Sequence, residues 1–420
     1  MKILCQEFKK IWRQMLGTEN IFGFKSTVAN QLYLLYCFSG HIYFTDKVHK
    51  QVKYIWCGLV SCQILFSYIF GLSYLWYDEK NDLVKMLYTA NSFGAIHMAT
   101  LGFPLLSHLF GDRVQAMIKF VDSFSNIQSS STFDQNTVLE DVKKYFLIFT
   151  TPLITSALVY MFGCVPDVVL FFEEDKVRDY FYYPYPPPMV QKCSSLTSFM
   201  IMGSATSMLF LLMLFEFYSV FGFMLYWNII CCNQLIVVKN ELNARTVRLN
   251  EYSDHEVKSL REWNGIFKRT LERSITGLQL ATRLTNELRE FFEAIVTIIA
   301  ITAFGYGVAL LYFCFSNDMS LMLKMKCLMG YMENCIVVFL FYWIGQRVDN
   351  SISEVSLAVY STPWYRSVKM RKTVHILLCQ TQSMKNFAIS KVHALLLNNF
   401  SRYLHSLLSY TSSLHRLANK

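Results

Sequence analysis

Residues 396–417 read LLNNFSRYLHSLLSYTSSLHRL, and the reading of this stretch decides the fold. Leu396, Phe400, Tyr403, Leu407, Tyr410, Leu414 and Leu417 recur at alternating spacings of four and three, which is one apolar face of a helix. Asn398, Arg402, His405, Ser409, Ser412 and Arg416 recur in the same way about half a turn round, and Ser406 and Ser413 widen that polar arc. A helix in lipid carries such a stripe only where it faces water or protein. If the segment crosses a membrane, one face packs and the other lines a wet path. The alternative is an amphipathic helix of a soluble core or of a membrane surface.

The rest of the chain bears on that choice. Of 420 residues, 53% are hydrophobic and only 16% are charged, with 35 Phe and 25 Tyr. Several apolar runs are long enough for a hydrocarbon core of about 30 Å. The composition is that of a polytopic membrane protein. The first ten residues are polar and basic, so no cleavable signal peptide is expected and the first span serves as its own insertion signal. Residues 1–53 form a basic N-terminal region, in which the short apolar patch Leu32 to Phe44 suits an interfacial or re-entrant helix better than a span.

Spans are expected at about 54–76, 83–110, 144–165, 195–232, 291–315, 326–344 and 391–417. Residues 54–232 thus hold the first four, and 291–344 the fifth and sixth. Residues 233–290 are charged but keep helical period. Ser253 and Glu256 are spaced as a capping box, and Leu260, Trp263, Phe267, Leu271, Ile275 and Leu278 form an apolar packing stripe. Residues 345–390 are a second helical extension outside the bilayer, and 391–420 are the last span with a short tail. The loop from Pro166 to Lys192 is acidic, aromatic and stiffened by Pro184, Pro186, Pro187 and Pro188; it is either a lid or a spacer.

Lys and Arg orient the spans. Of the 39 in the chain, 28 fall on the N-terminus and the second, fourth and sixth connections, and 8 on the opposite side; Lys85, Arg289 and Arg402 lie within spans. The N-terminus is therefore expected inside and the C-terminus outside, the inverse of G-protein-coupled receptors. Neither Asp-Arg-Tyr after the third span nor Asn-Pro-x-x-Tyr in the seventh is present. Twelve Cys occur without a CxxC pair or a His/Cys cluster at zinc spacing. Cys231-Cys232, at the inner end of a span, is a place for S-palmitoylation. Cys164 and Cys193 flank the outer loop in the oxidising compartment, where they either pair or stay free. No phosphate loop, nucleophile elbow or metal cluster supports catalysis, and the basic residues have acidic neighbours, which speaks against a nucleic-acid partner.

Seven spans, an inside N-terminus and long extensions after the fourth span resemble the insect odorant receptor family. Tyr360 followed by Trp364-Tyr365 is similar to that family's Tyr-x-x-x-Trp-Tyr element, and Leu404 to Leu417, centred on Ser409-Tyr410, aligns without gaps to its end sequence. The sister gustatory family ends on Thr-Tyr, five residues and Gln-Phe, which this chain lacks. The resemblance implies an all-α membrane protein of seven transmembrane helices with a cytoplasmic subunit-anchoring domain. It implies a subunit of a ligand-gated, non-selective cation channel in the plasma membrane of sensory-neuron dendrites. It further implies a hetero-oligomer, a tetramer shared with a co-receptor subunit, opened by a small volatile without a cofactor or a G protein. Tyr360, Trp364 and Tyr365 would then lie at the subunit interface, and Ser406, Ser409, Ser413, Arg416 and Leu417 would line the pore.

By gapless alignment, Ser413 and Leu417 occupy the co-receptor's apolar gate positions, and Ser413 departs from that pattern. Four rings of Arg416 would disfavour cations at close range, so a tuning subunit is expected rather than the co-receptor. In the family the odorant lies in the outer half of the bundle, which here offers Tyr88, Phe93, His97, Tyr160, Met202, Tyr306, Tyr331 and Met332. Apolar and aromatic walls with one or two polar groups suit a volatile, though ordinary helix packing accounts for each of these side chains as well. A gustatory-type homotetramer and a transporter are the other readings. A transporter would show internal repeats, and none is seen.

Overall fold

The computed structural model describes Gln6, Phe24 and residues 26–38, 50–76, 111–127, 135–162, 196–251, 260–316, 321–366, 368–384, 388–389 and 393–418. The elements are α1 (Thr27–Phe38), α2 (Lys50–Trp76), α3 (Gly111–Ile127), α4 (Gln135–Phe162), α5 (Leu196–Glu251), α6 (Leu260–Phe315), α7 (Leu321–Tyr360), a 3-10 turn (Trp364–Arg366), α8 (Val368–Ser383), the antiparallel pair β1 (Ala388–Ile389) and β2 (His393–Ala394), and α9 (Leu397–Ala418). The protein is an all-α membrane protein.

Helix length explains the architecture. α5 and α6 each run for 56 residues and α7 for 40. At 1.5 Å per residue the first two are about 84 Å long, against about 30 Å of hydrocarbon. They must project well beyond a bilayer, and the charged stretch 233–290 belongs mostly to these projections. Three stretches among the described side chains are long and apolar enough to cross: Tyr218–Ala244, Ile295–Phe315 and Cys327–Tyr360.

The core is centred on the junction of α5, α6 and α7. Phe223 packs its ring on Trp227 at 6.2 Å, Phe291 at 6.1 Å and Phe292 at 5.9 Å. The stripe on the first half of α6 faces inward too, with Phe267, Leu271 and Leu278 buried. A side chain at Gly277 would come within 2.8 Å of Val238, so the glycine lets α6 lie close against α5. The stripe is therefore a contact within the chain. Ser253 and Glu256 lie outside the described residues.

The described part of the N-terminal apolar patch, residues 32–37, is packed inside the protein. α1 starts at Thr27, and its Val28, Ala29, Leu32 and Tyr36 are fully buried. Tyr36 stacks toward Phe223 at 5.6 Å, and Tyr226 donates to Gln31 at 2.6 Å. The backbone N–H of Ser26, just before the helix, donates to Asp122 of α3 at 2.6 Å. One expectation changes: Cys231 and Cys232 do not face the membrane surface. Both are 0% exposed inside the core, which closes them to an acylating enzyme.

Candidate functional site: the last helix and its seat

The chain enters α9 through a fixed corner. The hairpin β1–β2 pairs Ala388 with Ala394 and Ile389 with His393, so the helix begins at Leu397 rather than near Lys391. The Leu397 N–H donates to Gln346 of α7 at 3.2 Å, and Asn399 Nδ2 donates to the Ala394 carbonyl at 2.8 Å. The first bond satisfies an N–H that a helix start leaves open, and the second ties α9 back to β2. Gly345 makes the corner possible, because a side chain there would meet the Leu395 Cβ at 2.8 Å and its carbonyl closer still.

One face of α9 is seated on α6 and α7. Phe400 packs on Phe339 at 5.4 Å and Tyr342 at 5.6 Å, and Tyr403 packs on Phe304 at 5.7 Å. Leu407 is fully buried with Val308 and Leu311. Thr411, one turn on, is buried too, its hydroxyl donating to the Leu407 carbonyl at 2.8 Å. Tyr410 and Leu417 are 61% and 68% exposed. A strict four–three repeat drifts about 20° per heptad on a straight helix. By its last turns the stripe has rotated toward the flank, and Thr411 takes the inward place.

The other face is open. Asn398, Arg402, His405, Ser406, Ser409, Ser412, Ser413 and Arg416 are all exposed. Ser406 donates to the Arg402 carbonyl at 2.9 Å and Ser413 to the Ser409 carbonyl at 2.9 Å. Those hydroxyls are paired within the helix itself, so the surface they present is polar without demanding a fixed partner. The two expected faces are both there, and Ser406, Ser409, Ser413, Arg416 and Leu417 share the exposed side.

Behind Leu407 lies a small polar–aromatic junction of α6, α7 and α9. Tyr331 packs both with Val308, Leu311 and Leu407 and with the cluster of Ala309, Leu310, Phe313 and Cys327. Tyr306 joins that second cluster, and its hydroxyl lies 3.6 Å from where a Gly330 Cβ would be. The structure thus brings Tyr306 and Tyr331 together. Met332 is 53% exposed.

Asn334, which the sequence reading passed over, is buried here and donates to the Ala303 carbonyl at 2.9 Å. Gly307 leaves room for it: a side chain there would meet Asn334 Nδ2 at 2.8 Å and Leu407 at 3.2 Å. The signal was an amide inside an apolar span, which marks a tie between helices or a site.

The remaining expected residues divide between places. Tyr160 and Met202 are helix positions on α4 and α5. Tyr88, Phe93, His97, Cys164 and Cys193 lie outside the described residues. At the far end of α7, Trp364 folds back so that its indole N–H donates to the Tyr360 carbonyl at 3.0 Å, which caps the helix. Tyr360 and Tyr365 remain exposed on either side of it.

Arg347 ties α7 to α4: its guanidinium sits 4.6 Å over the Tyr145 ring, 5.5 Å over Trp343 and 3.6 Å from the Asp141 carboxylate. Among the described residues no group of three or more His, Cys, Asp or Glu could hold a metal.

The family described as 7tm Odorant receptor matches residues 112–406. No curated protein matches the chain at a significant level. The fold is similar to the solved insect olfactory receptor OR5 of Machilis hrabei in complex with eugenol, with a TM-score of 0.68, 10% identity, and 93% of this chain and 97% of that one covered. A second structure of the same receptor gives a TM-score of 0.63 at 10% identity, covering 92% of this chain and 97% of that one. Family and fold are those of receptors, not of enzymes. The chain belongs to the 7tm odorant receptor family of insects, as a multi-pass membrane protein of olfaction.

Proposed function

We propose that this chain is the odorant-tuning subunit of a ligand-gated, non-selective cation channel whose pore it shares with a co-receptor subunit. One observation carries the reading: α9 is seated by an apolar face and leaves a continuous polar face from Asn398 to Arg416 exposed. A wet path through a membrane needs such a helix. Ser406, Ser409, Ser413, Arg416 and Leu417 line that path in this reading. The N-terminus is cytoplasmic and the C-terminus extracellular, as the Lys/Arg bias favours. The channel sits in the plasma membrane of the sensory dendrite. The projections of α5, α6 and α7 anchor subunits to one another, with the exposed rings of Tyr360 and Tyr365 at the contact and Trp364 bracing them from behind.

A volatile binds in the outer bundle, among Tyr88, Phe93, His97, Tyr160, Met202, Tyr306, Tyr331 and Met332. The solved relative was captured with eugenol, a small molecule of the expected class. Tyr331 supports a route from ligand to pore, since it packs both with the Tyr306 cluster and with Leu407 of α9. A ligand that bears on Tyr331 bears on the seat of the pore helix. Ser413 at an apolar gate position and Arg416 near the mouth favour one or two copies of this chain beside co-receptor copies, because four rings of arginine oppose cations.

Whole-cell current under an odorant panel tests the reading, with this chain expressed alone and with a co-receptor. The expected result is current only with both, with an odorant profile altered by Tyr306→Ala or Tyr331→Ala. Odorant-gated current from this chain alone would replace the heteromer by a self-sufficient, gustatory-like channel.

A further inference from the structure

Three helices meet at Gly307, and one polar group there is left without a bond. Asn334 of α7 is buried, and its Nδ2 donates to the Ala303 carbonyl of α6 at 2.9 Å. A side chain at Gly307 would meet that nitrogen at 2.8 Å and Leu407 of α9 at 3.2 Å, so the glycine brings α7 and α9 to one spot on α6. One turn before Leu407 stands Tyr403, whose ring packs on Phe304 at 5.7 Å. Its hydroxyl is buried and makes no hydrogen bond, although Asn334 is its polar neighbour. Tyr331, Cys335 and Tyr342 are the other polar side chains around it. An amide nitrogen carries two hydrogens, and the bond to Ala303 uses one of them. Leaving a buried hydroxyl unmet is more unfavourable than making a bond is favourable. A donor and a hydroxyl side by side and unjoined, inside an apolar bundle, mark a bond that belongs to another arrangement of the helices.

We propose that Asn334 is a positioning residue for the pore helix: in the described conformation it holds one N–H on α6, and it gives the other to the Tyr403 hydroxyl when α9 turns on its seat. The inference rests on α9 being the pore helix. Leu407 is the fixed point, fully buried against Val308 and Leu311. A small rotation about it carries Tyr403 across Asn334 while the ring stays among Phe304, Tyr342 and Phe400. The bond is absent in one arrangement and present in the other, so it acts on the equilibrium between them. Tyr331 packs on the same seat, so a ligand that bears on Tyr331 favours the arrangement in which the bond is made.

Tyr403→Phe removes the hydroxyl and keeps the ring. The full chain, carrying a fluorescent tag and solubilised with the co-receptor, is melted without odorant. Tyr403→Phe should leave the melting temperature unchanged or raise it, because the hydroxyl it removes is unmet at rest. A fall of more than about 2 °C would overturn the proposal, since the bond would then already be made at rest. In cells with the co-receptor, the odorant concentration for half-maximal current should rise about five- to tenfold in Tyr403→Phe at equal surface expression, the effect of one hydrogen bond made only in the open arrangement. In an Asn334→Leu background the same change should add less than about twofold, because the partner is gone. Asn334→Ala serves if Asn334→Leu does not reach the surface. Tyr410→Phe, which removes a hydroxyl from an exposed side chain of the same helix, should stay within about twofold of the wild type. No shift in Tyr403→Phe, or the full shift again without Asn334, would overturn the pairing. Silence of the wild type across odorants would count against the channel reading and not against the bond, which the melt then decides by the same sign.

Discussion

The inner half of α5 and the whole of α9 avoid water in opposite ways. Tyr218–Ala244 has a mean hydropathy of 1.6, and 83% of that window is buried inside the protein itself. α9 is half polar, and only Leu407 and Thr411 among its side chains are fully covered. By apolarity alone the first is the better membrane segment. Its surroundings are nevertheless protein: Phe221, Phe223, Trp227, Ile229 and Leu235 all point into other helices. Apolarity reports that a segment avoids water, and does not say whether lipid or protein replaces it. A two-faced helix says more, because each face names its own surroundings.

Breaking the buried partner in that comparison should have the largest effect. Trp227→Ala removes a fully buried indole and should cost about 3–5 kcal/mol, read as a fall in the melting temperature of detergent-solubilised protein and in surface expression. In α9 the corresponding loss is local. Leu407→Ala should cost about 2–3 kcal/mol, at the lower end for a buried leucine because the neighbouring exposed face lets the site relax. It should loosen the pore helix and raise current in the absence of odorant more than it lowers expression.

Gly345→Ala tests the corner. The added methyl meets Leu395, so about 1–3 kcal/mol of overpacking should displace the start of α9 and reduce current while α5 stays folded. Arg347→Gln removes the guanidinium from the Tyr145 and Trp343 rings and should cost about 1–2 kcal/mol, whereas Asp141→Asn, at a partly exposed pair, should cost less than about 1 kcal/mol in the same melt. Ser409→Ala should sit at the bottom of the scale. It lies on the exposed face and should change stability by less than about 0.5 kcal/mol, with any effect confined to conduction.

Periodicity carried the two faces of α9 from sequence to structure without change at Phe400, Tyr403, Leu407 and Arg402. It failed at Tyr410, Leu417 and Thr411, because a four–three repeat and a straight helix part company over three turns. Span length likewise carried α6 and α7. It could not find the seat of α1, because the rings that cover Tyr36 lie nearly two hundred residues away on α5. The same blindness hid the burial of Cys231 and Cys232. Gly307, Gly345 and Asn334 were present in the sequence as ordinary span residues. Their meaning is a close approach between helices, and no spacing within one helix encodes that.

The central claim is that the polar face of α9 meets water in the open channel. Single cysteines at Ser406, Ser409 and Ser413, and at Leu407 and Thr411 for the seated face, can be probed with a charged thiol reagent during odorant-evoked current with the co-receptor present. Ser406→Cys, Ser409→Cys and Ser413→Cys should be modified rapidly and change the current, while Leu407→Cys and Thr411→Cys stay silent. Modification that ignores the two faces, or that strikes the seated positions first, would contradict the account.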